Sequence, residues 1–322
     1  MKIFNFDPAD HAARYARTGW VHIPGGIDPE FLAHLKDFTQ RRFREQHVEG
    51  KAIGGAKEQA LFEFPEDTDF PGELFDSVAA VAGLDRPGMT LSERHIKAYD
   101  SDAPDFPVAH KDRFASQVSV GLSIDIPDDS YLVLYPHTDV SVNPYNVSPQ
   151  LLASLEPHQR PEVVLADAPE IRIDDKPGDV VMFAGSATWH LRRFAANATN
   201  LYLKMNDFNS DPLGEDPSTE PRQRRTLELL ASSNGHTPRL VPVLARRLDV
   251  VARQRSRDGQ EVLHAHVWEE TPVVLSQVEW DLVHAIDGSR SLEQLAEVAG
   301  GAEAADAAIR RLAQRGVIEL VG

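Results

Sequence analysis

Between Leu91 and Asp207 the apolar residues return at every second position, in short runs separated by Pro, Gly and Asp. A period of two is the mark of an extended strand with one buried face. Candidate strands cover 94–99, 117–126, 131–135, 170–173, 179–183 and 200–206. Many short strands divided by turns specify a closed barrel or a double-sheet jelly roll. Residues 144–169 break the pattern and read as an insertion between strands, with a short helix at 149–155.

The flanking segments have other patterns. Asp7-Pro8 and Asp28-Pro29 each place an N-cap and a first-turn proline ahead of an apolar stripe, so two helices are expected before residue 45. A short alternating strand, Gly19-Trp20-Val21-His22-Ile23, lies between them. Residues 46–75 read as an irregular stretch, either a lid over a site or a surface excursion. Residues 208–225 are rich in Pro, Gly, Ser and acids, which is a linker signature. The expected division is a β domain over 1–210, a linker and helical segment over 211–260, and a small domain over 261–322.

Composition narrows the function. The 322 residues include no cysteine, which excludes disulfides, thiolate catalysis and cysteine metal sites. A formal net charge of −17 disfavours phosphate-backbone binding, so no nucleic-acid partner is expected. No apolar run is long enough to span a membrane and the N-terminus lacks a signal-peptide pattern, so a soluble, cytoplasmic protein is expected.

The chemistry sits in His110-Lys111-Asp112, immediately before the strand-like run 114–126. Residues two apart on an extended segment share a face, so an imidazole and a carboxylate can meet one point. Two histidines and one carboxylate, with the other positions open, is the ligand set of non-haem Fe(II) oxygenases. His190, at the end of the run that starts Gly178-Asp179-Val180, is the candidate third ligand. With 13 histidines in the chain, about one His-x-Asp match is expected by chance, and His137-Thr138-Asp139 fits as well. The strand that follows Asp112 favours the first pair, because Pro144 stops a ladder after Asp139. His137 and Asp139 stand as the alternative proximal pair, or as a polar turn.

In this order, His110-x-Asp112, a β run, Ser130-Tyr131-Leu132-Val133-Leu134-Tyr135-Pro136-His137, then Gly178-Asp179 and Trp189-His190, the chain resembles the phytanoyl-CoA dioxygenase-like branch of the 2-oxoglutarate-dependent oxygenases. The resemblance covers roughly residues 10–207. It implies a mainly β, α+β protein with a double-stranded β-helix (jelly-roll, cupin-like) core. It also implies Fe(II) on His110, Asp112 and His190, with 2-oxoglutarate and O2 as co-substrates. The distal carboxylate of 2-oxoglutarate needs a buried cation. Lys204 is the first candidate, Arg193 the second, and Tyr131 a hydrogen-bonding partner. Related halogenases leave the carboxylate position small, so Asp112 implies hydroxylation or another C–H oxidation.

From residue 271 onward the sequence is similar to winged-helix-like, peptide-recognising domains found with peptide-modifying enzymes. Eight acids against four arginines there, a net of −4, argue against DNA. The other reading is a packing or homodimerisation appendage. The Arg-rich 222–257 stretch reads as a solvated helical face. A small-molecule, amino-acid or peptide substrate is expected. Two competing functions stay open: a cupin-type metalloenzyme without 2-oxoglutarate, and a non-enzymatic β-barrel ligand sensor.

Overall fold

The computed structural model describes residues 1–45, 57–135, 156–232, 239–255, 257–267 and 271–321. The helix expected at 149–155 lies outside the described residues. The chain divides into two compact units, Met1–Phe208 and Asn209–Gly322.

The first unit runs α1 (Ala9–Thr18), β1 (Trp20–Ile23), α2 (Pro29–Thr39), β2 (Lys57–Leu61), α3 (Phe70–Ala82), β3 (Thr90–Tyr99), β4 (Val118–Asp125), β5 (Tyr131–Tyr135), α4 (Pro161–Val164), β6 (Ile171–Ile173), β7 (Val180–Phe183), β8 (Trp189–Arg193) and β9 (Thr199–Asn206). The helix starts follow from capping chemistry. Asp28 accepts from the Glu30 amide and Asp69 from the Gly72 amide, each with a proline in the first turn. Among the described residues, six strands form a large sheet in the order β1-β7-β4-β9-β3-β2, and three form a small sheet, β6-β5-β8. All these pairings are antiparallel.

Alternation gives the large sheet two different faces. Ile96, Val120, Leu122, Met182, Leu201 and Leu203 point outward and bury against Phe31 and Leu35 of α2 and Leu74 and Val78 of α3. Each fully buried side chain of this kind is worth roughly 1.5–3 kcal/mol over exposure. On the inner face, Val181 and Phe183 meet Leu132, Leu134 and Ile173 of the small sheet. The result is a double-sheet, jelly-roll core with helices on one side, as the period of two specifies. Two stretches differ from the sequence reading. The irregular segment expected over 46–75 contains β2 and the start of α3, and β8 was not among the expected strands.

The second unit contains α5 (Thr219–Ser232), β10 (Val241–Leu244), β11 (Leu248–Arg255), β12 (Glu261–Val267), β13 (Val273–Leu275), α6 (Gln277–Ala285), α7 (Leu292–Leu295), α8 (Ala302–Gln314) and β14 (Ile318–Val321). Strands β11-β12-β13 form one sheet and β10-β14 another. Ser276 and Ser291 each open a helix with a capping box, matched by Glu279 and Gln294. Leu230 of α5 packs in the same core as Leu282, Ile309 and Leu320. The 211–260 stretch, expected as linker and helix, thus supplies one helix and two strands to this unit.

Candidate metal centre

Two backbone hydrogen bonds build the site. The His110 amide donates to the His190 carbonyl at 3.0 Å, and the His190 amide returns the bond to His110 at 2.9 Å. Directly opposed residues of an antiparallel pair project to the same face, so both imidazoles point inward. Their ring centroids are 4.3 Å apart. Asp112 follows on the same face, with its amide on the Gly185 carbonyl at 3.0 Å. One potential ligand atom from each of His110, Asp112 and His190 lies within 4.8 Å of the others. Among the described residues, this is the one such cluster of three.

Second contacts prepare these groups for a cation. The Nδ1 of His190 lies 3.0 Å from the Thr188 carbonyl, which can only accept, so Nδ1 carries the proton and Nε2 presents its lone pair. Burial lowers the His190 imidazole below its ordinary pKa, against the opposing pull of Asp112, and so favours the neutral ligand form. Burial would raise the Asp112 carboxyl. Lys204 above all, with His190 and His110, overrides this and holds it well below the usual carboxylate range.

The strand register decides which other candidates share the site. On β9, Asn200, Tyr202 and Lys204 face inward, opposite Ser123, Gly121 and Ser119 of β4. Lys204 Nζ donates to Asp112 Oδ2 and, at 3.0 Å, to Ser119 Oγ. The lysine expected beside the co-substrate is therefore in contact with a candidate metal ligand. Arg193 and Tyr131 are not brought to the cluster. They are register partners on the outward face of the small sheet, where Arg193 pairs with Glu170 at 2.5 Å and Arg172 covers the Tyr131 ring at 3.8 Å. The alternative pair, His137 and Asp139, lies outside the described residues.

Among the inward residues, Arg192, Glu93 and Lys57 were not singled out from the sequence. Arg192, two positions after His190, shares its parity and bonds Asp175 at 2.7 Å, with both side chains buried. On β3, Glu93, His95 and Lys97 face Lys204, Tyr202 and Asn200 across the ladder. A register shift between Leu91 and Glu93 sends Leu91 into the helical core and Glu93 to the inner face. Lys97 bonds Glu93 at 3.1 Å. Burial alone would lower the Lys97 ammonium, but Glu93 and Asp112 hold it above its ordinary value. Lys57, opposite Tyr99, is a further inward cation; burial and the nearby Lys97 lower it to about 8.

The inner face thus carries Lys57, Lys97, Arg192 and Lys204 against Glu93, Asp112 and Asp175, in a chain whose net charge is −17. Two buried donors on it, Arg192 Nε and Asn200 Nδ2, have no hydrogen-bond partner among the described residues, nor does the acceptor Asp175 Oδ1. Unpaired buried donors are costly, and an anionic ligand would satisfy them. Two histidines and a carboxylate fit an iron or similar divalent ion, and the cationic wall fits a dianion beside it.

No family model and no curated protein matches the chain. It is similar in structure to the non-haem alpha-ketoglutarate-dependent carbocyclase SnoK from nogalamycin biosynthesis. That match has 14% identity and a TM-score of 0.47, over 64% of this chain and 87% of the other. The epimerase SnoN from the same biosynthesis matches at 18% identity and 0.45, over 62% and 82%. A Pseudomonas putida prolyl-4-hydroxylase matches at 16% and 0.43, over 62% and 97%. At such low identity and superposition, these likenesses assign no activity, and the residues must carry it.

Proposed function

We propose that this chain is an Fe(II)- and 2-oxoglutarate-dependent dioxygenase that oxidises an unactivated C–H bond of a small molecule, amino acid or peptide. The observation that carries the reading is the convergence of His110, Asp112 and His190 on the inner face of a double-sheet core. The cationic wall beside the cluster supports a dicarboxylate co-substrate. SnoN has been solved with Fe3+ and alpha-ketoglutarate, and the ligand set here suits the same pair. The order of motifs resembles that of the phytanoyl-CoA dioxygenase-like branch and supports membership there. The likeness of the sequence from residue 271 onward to peptide-recognising domains supports an amino-acid or peptide substrate.

His110, Asp112 and His190 would hold the iron, which with 2-oxoglutarate and O2 supplies the oxidant for hydrogen removal from carbon. The protein does the rest. The Thr188 carbonyl holds His190 in the tautomer that ligates. Lys97, Lys204 and Arg192 supply the field that draws in a dianion, and Arg192 Nε and Asn200 Nδ2 offer it unpaired donors. The carboxylate of Asp112 fills the position that a halogenase leaves for chloride, so hydroxylation is the favoured outcome.

Anaerobic titration with Fe(II) and then 2-oxoglutarate tests the reading through the visible metal-to-ligand charge-transfer band. Wild type and His137→Ala should show the band, and His190→Ala should lose it. A wild type that binds iron but gives no band overturns the co-substrate assignment and favours a cupin-type enzyme.

A further inference from the structure

The second unit carries a cavity of about 380 Å3, at the small end of the range for ligand pockets. It lies where the first turns of α5, the ends of β12 and α8, and the starts of β13 and β14 come together. Its lining is of two kinds. Val267, Val273 and Ile318 present apolar surface that continues into the core of this unit. Arg247, Arg315, Gln223 and Gln314 bring hydrogen-bond donors to the same space.

The polar groups are not all available. Glu319, the lining carboxylate among the described residues, is 4% exposed and already engaged. Its Oε2 accepts from Arg222 Nε at 2.8 Å and its Oε1 from the Arg246 amide at 3.3 Å. Thr219 Oγ likewise donates to Asp211 at 2.7 Å. The side chains of Arg315, Gln223 and Gln314 make no hydrogen bond or ion pair among the described residues. Two glycines shape the space. A Cβ at Gly214 would lie 3.2 Å from Arg247 Nε and 3.3 Å from its Cδ, so the arginine packs where a side chain would stand. A Cβ at Gly316 would lie 3.6 Å from the Gln223 amide nitrogen and 4.0 Å from Val267 Cγ1. Any side chain at 316 would therefore start between the polar and the apolar wall.

A cavity whose acid is neutralised, whose donors include two guanidinium groups and whose other wall is apolar suits an anion with an apolar body. Guanidinium holds a planar oxyanion through paired hydrogen bonds. A bare inorganic anion would leave the valine and isoleucine surface in contact with water.

We propose that this cavity is a second ligand site, for a small organic carboxylate whose head meets Arg315 and Arg247 and whose apolar side chain covers Val267, Val273 and Ile318. A free acid and the C-terminal residue of a peptide share this chemistry. The site does not depend on the metal reading, and either can fail alone.

The test is calorimetric titration of the full chain with N-acetyl-L-leucine, beside N-acetyl-L-leucinamide and inorganic phosphate, with thermal melts as a check on folding. The acid should bind about 10- to 100-fold more tightly than its uncharged amide, the usual worth of a hydrogen bond to a charged group. Arg315→Gln should lose the same factor without a change in melting, because its side chain has no partner among the described residues. Gly316→Asn, a residue that a left-handed backbone accepts, should block the acid by filling the space. A short peptide ending in leucine separates the two sources. Tighter binding than the acetylated amino acid assigns a peptide end, and equal or weaker binding assigns a free acid. Three results overturn the site: no saturable binding of the acid, an amide or phosphate that binds as well as the acid, or binding that Arg315→Gln and Gly316→Asn both keep.

Discussion

The two faces of the small sheet are made from the same strands and do opposite work. On β8, His190 and Arg192 point inward, beside Leu132 and Leu134 of β5. Trp189, Leu191 and Arg193 point outward, with Tyr131 and Tyr135. The adjacent arginines show what parity alone does. Arg192 is 5% exposed and pairs with Asp175, which is fully buried and also takes a hydrogen bond from Ser123 at 2.5 Å. The Arg193 side chain keeps 24% of its surface, and its partner Glu170 keeps 38%. A half-solvated pair contributes about 0–1 kcal/mol, whereas removing one member of a buried pair strands the other's charge. Arg192→Met should therefore cost about 3–5 kcal/mol in urea unfolding, and Arg193→Met about 1 kcal/mol or less. A double change, Arg192→Met with Asp175→Leu, should recover much of the loss, because no charge is then left buried. Equal costs for the two single variants would erase the distinction between the faces.

A finer contrast lies within the inner face, between donors that are paired and donors that are not. Lys97 and Lys204 are engaged by Glu93 and Asp112, while Asn200 Nδ2 is buried without a partner among the described residues. Asn200→Ala should change stability by only about 1 kcal/mol. If that amide donates to a co-substrate carboxylate, its loss should cost about 1.5–3 kcal/mol of binding, which is roughly 10- to 100-fold in KM for 2-oxoglutarate. Steady-state kinetics beside a thermal melt separate the two effects. An unchanged KM would move the carboxylate contact away from β9.

How much of this was legible follows from where period-two reasoning holds. His110, Asp112 and His190 were readable because two of them lie two apart and a strand visibly continues after them. The large sheet was readable because its strands are long and apolar on one side. The inner polar face was readable only in part, at Lys204. Residues 189–193 fell outside the expected strands, so the parity that separates Arg192 from Arg193 had no strand to act on. The bulge at Leu91/Glu93 reverses parity within β3, which no alternation count from the sequence alone reveals. Lys57 and Gln59 sit in a stretch whose glycines and acids read as irregular, yet β2 pairs there with β3. In the second unit, the Arg-rich composition of 248–255 hid an edge strand, since its outward positions are charged.

The same inside–outside contrast can be sharpened through pH. Lys57 faces Tyr99 across the β2–β3 ladder, and Lys97, Lys204, Glu93 and Asp112 all act on its charge. Burial first, and then the like charges of Lys97 and Lys204, lower its ammonium to about 8, against the opposing pull of Glu93 and Asp112. An unfolded lysine titrates near 10.4. Between these values the unfolded chain binds the extra proton, so stability should rise with pH across that window. The slope contributed by one such group is at most about 1.4 kcal/mol per pH unit. Below pH 8 the group is charged in both states, and its burial cost is present in full. Lys57→Met removes the titration. Wild-type stability minus variant stability should therefore be flat up to about pH 8 and climb from there toward pH 10, measured by urea unfolding at fixed salt. A difference that stays flat throughout would mean that Lys57 reaches solvent freely, and the cationic wall would then end at Lys97.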